Sequence, residues 1–191
     1  MTDVRRGYDE LADEYADARE LSERERRILD GFFDGVPANS RVLDAGCGPG
    51  TVTRSAVGLD FSRKQLQLAS ERLSVVQGDL RQLPFSEETF DAVVASNAVI
   101  HVPVPDHETV FAEFARVLEP GGRLLVSESD IARERTNPDW LGEGREMTWH
   151  MAGADATRTT LREAGFEIED EWLAPETEGA PEPPYLAARR Q

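Results

Sequence analysis

The chain has 191 residues, 37 acidic against 21 basic side chains, and a formal net charge of −16. Such a surface repels phosphate backbones and anionic membranes, which argues against a nucleic-acid or membrane partner. Cys47 is the only cysteine, so an intrachain disulfide and a cysteine-built metal cluster are excluded.

Residues 8–20 read as a very polar helix in which Tyr8, Leu11 and Tyr15 stand at i, i+3 and i+7 and share one face. A second helix is expected over 22–34, with Ser22 and Glu25 as a capping box and Ile28, Leu29, Phe32 and Phe33 as its apolar side. Gly35, Pro37 and Asn39 end it. Val42 and Leu43 begin a short buried strand that ends at Asp44. Gly46, Gly48 and Gly50 then alternate through a tight turn, where glycine permits positive φ and close approach to a ligand. A strand running into such a turn marks a nucleotide-type site at the carboxyl edge of a parallel sheet. Thr51 stands where a dinucleotide fingerprint needs its third glycine, so the order is an acid followed by G-x-G-x-G. Cys47, inside the turn, reads as a small side chain rather than a nucleophile.

Only T-V-T-R-S separates Gly50 from A-V-G-L-D, barely enough for a parallel crossover. A short helix, a remodelled connection and missing residues all stay open. The second strand, Val57–Asp60, ends in an acid suited to accept hydrogen bonds from two vicinal ribose hydroxyls, and Phe61 follows it to lie against an adenine face. The alternative for Asp60 is a charge at a helix N-terminus, because Ser62 starts a helix over 63–72 with Leu66, Ala69 and Leu73 inward. A third strand, 73–77, runs into Gly78-Asp79-Leu80. A buried central strand, 90–96, carries Ser96, Asn97 and His101 at its tip. A histidine there suits proton transfer, and a structural histidine is the alternative. A helix over 106–118 has a core-facing stripe of Val110, Phe111, Phe114, Val117 and Leu118. Pro120-Gly121-Gly122 stops it before a fifth strand, 123–129. Residues 130–152 show no clear period and are the least predictable. A helix over 154–164 ends at Gly165. Strands over 166–173 and 185–189, joined by a loop at 174–184, make an edge hairpin. No H-x-x-x-H or H-E-x-x-H spacing points to a metal.

The segment D-A-G-C-G-P-G at 44–50 resembles the first motif of class I S-adenosylmethionine (SAM)-dependent methyltransferases. L-D-F-S at 59–62, G-D-L at 78–80, L-P-F at 83–85, T-F-D at 89–91 and L-E-P-G-G-R-L at 118–124 follow in the family's order. The likeness looks closest to the small-molecule branch called methyltransferase type 11. It implies an α/β fold, a doubly wound, seven-stranded, mostly parallel Rossmann-like sheet with an antiparallel C-terminal edge hairpin. One methyltransferase domain is expected over 1–191. Within it, 1–38 forms a helical lid, 39–129 the SAM-binding core, 130–152 a substrate-side insertion and 153–191 the C-terminal helix and hairpin.

The resemblance also assigns roles. SAM is the cofactor, leaving as S-adenosylhomocysteine (SAH). Its methionine portion lies over Asp44, Gly46, Cys47, Gly48 and Gly50, near Ser96 and Asn97. Asp60 takes the ribose, with Phe61 beside the base. Asp79 and Leu80 read the adenine, and Tyr8 and Tyr15 line the pocket from the lid. His101 and His150 are the candidate bases and could converge over the acceptor, with Met147 and Trp149 on the substrate side. The acceptor is expected to be a small molecule, methylated by in-line displacement through proximity and orientation. A non-catalytic SAM-binding regulator and an NAD-dependent reductase are the rivals. No apolar run reaches the roughly 20 residues that span a membrane, and M-T-D-V-R-R lacks a signal-peptide core, so a cytoplasmic location is expected. The acid excess, with Lys64 the only lysine, suits a halophilic setting. Monomer and homodimer both stay open.

Overall fold

Strand alternation divides the core between the two faces of one sheet. In β4 (Phe90–Ala95), Val93 and Ala95 pack on one side while Ala92 and Val94 pack on the other. In β5 (Leu118–Ser127), Leu124 and Val126 separate from Leu125 in the same way. A strand buried on both faces needs apolar residues at consecutive positions, which is the composition these segments have. The computed structural model describes residues 2–52, 56–173 and 183–191.

Among the described residues nine strands form two sheets. The first holds β1 (Val42–Ala45), β2 (Val57–Asp60), β3 (Ser74–Gln77), β4 and β5, then β8 (Phe166–Trp172) and β9 (Tyr185–Arg190). Their order is β3-β2-β1-β4-β5-β9-β8. The first five are parallel, and β9 runs antiparallel to both β5 and β8. Sequence direction reverses between β1 and β4, which opens a crevice at their carboxyl ends. The helices are α1 (Thr2–Glu10), α2 (Ala12–Ala18), α3 (Glu23–Asp34), α4 (Arg63–Ala69), α5 (His107–Val117) and α6 (Ala154–Glu163). On one face, α5 contributes Val110, Phe111, Phe114 and Val117 to the core, with Leu161 of α6; on the other, α3 and α4 contribute Ile28, Leu29, Phe32, Leu66 and Ala69. Each such aromatic or branched side chain contributes about 1.5–3 kcal/mol by leaving water.

Most predicted elements appear within a residue or two of their expected ends. The capping box of α3 is present: Ser22 Oγ accepts from Glu25 N, and Glu25 accepts from Ser22 N at 2.9 Å. The helix expected over 63–72 stops at Ala69, and three segments differ more. The predicted helix over 8–20 is two helices bent at Leu11, and the first begins at Thr2. The bend draws Tyr8, Leu11 and Tyr15 together onto Trp140 and Met147. The fifth strand begins at Leu118, not Arg123. Leu118 pairs with Phe90, and the register shifts before Ala92 pairs with Arg123, so the Pro120-Gly121-Gly122 stretch is a bulge inside a strand. Residues 130–152 contain a hairpin, β6 (Arg133–Trp140) and β7 (Arg145–Met151), that makes its own two-stranded sheet. Leu141, Gly142 and Gly144 turn it at positive φ, and Asp139 Oδ1 accepts from Gly144 N at 2.6 Å. Pro138 and a polar composition hid this hairpin from a reading by period.

The brief connection after Gly50 includes residues 53–55, which lie outside the described residues, as do 174–182 of the predicted C-terminal loop. Among the described residues no helix lies between β1 and β2, yet the two strands pair in parallel, Leu43 with Val57 and Ala45 with Leu59. Gly50 packs instead on α4: a Cβ there would stand 3.2 Å from Ala69 Cα.

Candidate active site

Four parallel strands deliver their carboxyl ends to one cleft, which encloses about 560 Å³ with its open mouth included. From β1 comes the glycine turn. Its first two amides, Gly46 N and Cys47 N, both donate to Leu59 O of β2, at 2.7 and 3.0 Å. Gly46 has φ +79°, and a Cβ on it would lie 2.4 Å from Ala98 Cβ. The turn therefore touches the β4 tip with no room for a side chain.

Asp60 closes β2. One carboxylate oxygen accepts from Gly48 N at 2.9 Å and the other from Ser62 N at 2.8 Å. The carboxylate thus ties the glycine turn to the start of α4. It is only 6% exposed, and burial pushes its pKa up to about 6 despite those amides. A carboxylate offers about four lone-pair sites, so capacity remains for further donors. Phe61 lines the cleft beside it. Gly78, Asp79 and Leu80 arrive from β3. Asp79 is clamped by Arg81: Oδ1 accepts from Arg81 N and Nε, each at 3.0 Å, and Oδ2 from Nη2 at 2.7 Å. Those bonds hold the Asp79 carboxyl below the usual carboxylate range.

From β4 come Ser96, Asn97 and, one short turn on, His101. Asn97 sits at φ +53°, a region asparagine tolerates better than most residues, and its N–H donates to Ser127 Oγ at 2.6 Å. Ser96 Oγ lies 2.7 Å from the Tyr185 hydroxyl, which donates to Glu25 Oε1 at 3.0 Å. Arg19 Nη2 also donates to that oxygen at 3.0 Å. Burial alone would raise Glu25, but Arg19, Ser22 N and Tyr185 together hold it below its ordinary value.

The N-terminal helices cover the cleft. Asp9 Oδ1 accepts from Ser62 Oγ at 2.8 Å, which fastens α1 to the start of α4. The Tyr8 ring meets Tyr15, Trp140 and His101 edge-on, with centroids at 5.0, 4.9 and 5.2 Å. The Tyr15 ring lies over the turn, 3.5 Å from where a Gly48 Cβ would be. Tyr8 Oη and His101 Nε2 are 2.9 Å apart. Burial pushes the His101 pKa down to about 4, against the nearby Thr148 backbone, so the ring is neutral at pH 7. Burial also pushes the Tyr8 hydroxyl well up.

Of the predicted site residues, Tyr8, Tyr15, Gly46, Gly48, Asp60, Phe61, Asp79, Leu80, Ser96, Asn97 and His101 line this cleft. Asp44, Cys47 and Gly50 do not. Asp44 is buried at the end of β1. Cys47 points into the core beneath the turn with Leu66, Ala69 and Leu73, and burial raises its thiol far out of the reactive range. His150 also stands apart. Strand alternation turns it to the outer face of the hairpin, where Nδ1 lies 3.0 Å from its cross-strand neighbour Glu134. The two histidines therefore do not share the cleft. Met147 is fully buried against Val4, Tyr8 and Leu11 of the N-terminal segment, and Trp149 lines a neighbouring cleft.

The sequence reading missed Gln65, Arg19 and the Glu25–Tyr185 pair. Gln65 Oε1 is buried without a partner among the described residues and lies 4.0 Å from the Gly48 Cβ position. Ser62 and Gln65 have the S-x-x-Q spacing of a capping box, the one signal that could have drawn attention to Gln65. The Glu25–Tyr185 contact spans 160 positions and leaves no local trace.

An α/β sheet with its glycine turn, acidic strand tip and crevice at the strand-order switch defines a nucleotide-type site of the class I methyltransferase fold. Residues 43–126 match the family model described as a methyltransferase domain. These residues thus carry a methyltransferase-domain match, and the fold is the one shared by solved class I SAM-dependent methyltransferases. Sterol 24-C-methyltransferase of Kluyveromyces lactis is 34% identical over 164 residues, covering 72% of this chain and 43% of that protein. Methyltransferase GfsG of Streptomyces halstedii is 32% identical over 127 residues, covering 56% and 45%. The chain thus spans less than half the length of these curated relatives. Among solved structures, magnesium protoporphyrin IX methyltransferase from Synechocystis with bound SAH superposes at a TM-score of 0.76 and 19% identity, over 100% of this chain and 99% of that one. A SAM-dependent methyltransferase from Methanosarcina mazei does so at 0.74 and 18%, over 90% and 99%.

Proposed function

We propose that this chain transfers a methyl group from SAM to a small-molecule acceptor. The observation that carries this reading is Asp60, a buried carboxylate at the tip of β2 that ties down the glycine turn and, beyond the amides of Gly48, Phe61 and Ser62, keeps acceptor capacity for a ribose hydroxyl. The cleft fits the cofactor in other respects. The turn has no side chain at Gly46 or Gly48, and Gln65 Oε1 beside it lacks a partner among the described residues. Phe61 and Leu80 offer apolar surface for a base, and Asp79 Oδ2 retains an acceptor site after its bond to Arg81.

When bound, the cofactor supplies a methyl group already activated on a positively charged sulfur. The protein's part is to hold, orient and keep out water. Asp60 would hold the ribose, and the Ser96–Asn97 tip the methionine end. Tyr8 and Tyr15, carried by helices that close the cleft, would exclude solvent. His101 is placed to orient rather than to strip a proton, because a pKa near 4 makes it a weak base and Tyr8 occupies its Nε2.

Calorimetric titration of SAM, SAH and NADH in molar potassium chloride tests the reading, with Asp60→Ala alongside. Loss of the charge-assisted ribose contact, together with the anchor on the glycine turn, weakens SAM binding roughly a hundredfold in the variant. Binding of NADH in place of SAM would overturn the proposal in favour of a reductase. Binding of SAM without methyl transfer to any small-molecule panel would leave a cofactor-sensing protein.

A further inference from the structure

Asn97, at the edge of the cofactor cleft, also lines a second cleft of about 1100 Å³ with its mouth included. The floor of this second cleft is the carboxyl end of β5, at Ser127 and Glu128. Its roof is one face of the β6–β7 hairpin. Pairing register decides which face: Arg133 stands opposite Met151 and Arg135 opposite Trp149, and all four line the cleft. The other face carries Glu134 and His150 away from it. Two arginines separated by one residue on the same strand face stand about 7 Å apart, close enough to converge on one anionic group.

Four features make this cleft unusual in so acidic a chain. Neither Arg133 nor Arg135 forms an ion pair with a described residue. The Arg135 guanidinium lies over the Trp149 ring, 5.8 Å from its centroid, so cation and aromatic face are presented together. Ile131, at the same mouth, is 62% exposed, one of two large apolar side chains so exposed among the described residues. The cleft's own acids do not neutralise the arginines through contact. Glu128 is sunk in the floor, where its oxygens accept from Ser129 N at 2.7 Å and Thr157 Oγ1 at 3.1 Å, and Asp130 lies at the rim.

We propose that the methyl acceptor is an apolar, preferably aromatic, carboxylate. The carboxylate anchors it, while a separate nucleophilic atom of its body bonds to the methyl carbon. The sulfur–methyl bond breaks with its electron pair onto the SAH sulfur, and any proton on the acceptor atom passes to solvent. Arg133 and Arg135 take the acceptor's charge, while Trp149 and Ile131 take its apolar body. The proposal rests on the methyltransferase reading above and names the substrate class of that same site. An anionic acceptor also explains why a strongly acidic protein keeps two guanidinium groups in a cleft beside its cofactor site. Arginine suits this task because its planar fork matches a carboxylate and stacks on an aromatic ring.

The test is calorimetric titration of cinnamate, 2-naphthoate and decanoate, each against its methyl ester, with cholesterol as a neutral sterol. Titrations use the free protein and the protein saturated with SAH. Arg133→Gln, Arg135→Gln and Arg135→Lys are compared with wild type, and SAH affinity is measured in each. The carboxylates bind wild type at least roughly tenfold tighter than their esters. Each glutamine variant loses roughly tenfold, and the lysine variant loses less. SAH affinity stays within about twofold in all three. Equal binding of acids and esters, tighter binding of the sterol, no binding of any carboxylate, or indifference to both glutamine substitutions would overturn the proposal. Carboxylate binding by a wild-type protein that takes up no SAH would instead remove the methyltransferase reading and leave the carboxylate site standing.

Discussion

Replacing Asp60 with asparagine isolates what its burial costs. The native carboxyl has an ordinary value of 3.8 and stands at about 6 in the fold, with burial the largest cause. At 1.36 kcal/mol for each tenfold change in acidity, ionising it in the folded protein costs about 3 kcal/mol more than in the unfolded chain. Because the folded value is raised, the associated stability is fully present below pH 3.8 and is lost as pH rises through 6. Integrating between the two values places about 2 kcal/mol of that loss between pH 4.5 and 7.5. Asp60→Asn removes the titration but leaves an amide facing the N–H of Gly48 or Ser62, a penalty of about 1–3 kcal/mol that does not vary with pH. Urea denaturation of both proteins across that range measures the difference, and titrations common to both cancel. The wild type should weaken relative to the variant by about 2 kcal/mol from pH 4.5 to 7.5. A difference that stays flat, or rises with pH, would refute the placement of a desolvated carboxylate at the strand tip.

Two other outcomes follow from the same cleft. Gly46→Ala combines a φ of +79° with a Cβ 2.4 Å from Ala98, whereas Gly121→Ala meets only the φ of +77° in open space. Denaturation should show Gly46→Ala costing about 2–5 kcal/mol and Gly121→Ala about 1–2. The His101 ring should stay neutral down to pH 5 in a proton NMR titration, since its value is lowered to about 4; the stability it contributes above pH 6.5 is lost progressively as pH falls from 6.5 to 4. Tyr8→Phe leaves Nε2 without its partner and should cost about 1–3 kcal/mol without bringing His101 into the neutral range.

Local sequence determined the frame of this protein. Alternation and apolar runs place β1, β2 and β4, the spacing of Val110, Phe111, Phe114 and Val117 orients α5, and the order acid, glycine turn, acid locates the cleft. These signals lie within a few residues of each other and act through backbone geometry, so a single chain reveals them. Tertiary structure decided what such signals cannot reach. A bulge let β5 run through Pro120-Gly121-Gly122 because Leu118 found Phe90 across the sheet. The helix over the cleft broke at Leu11 so that Tyr8 and Tyr15 could both meet Trp140, which lies more than a hundred residues away. Register in the β6–β7 hairpin sent His150 outward and Arg135 inward, and a slip of one residue would have exchanged them. Residue types at a site are written along the chain, but the face each one presents is fixed only by the partner strand it pairs with.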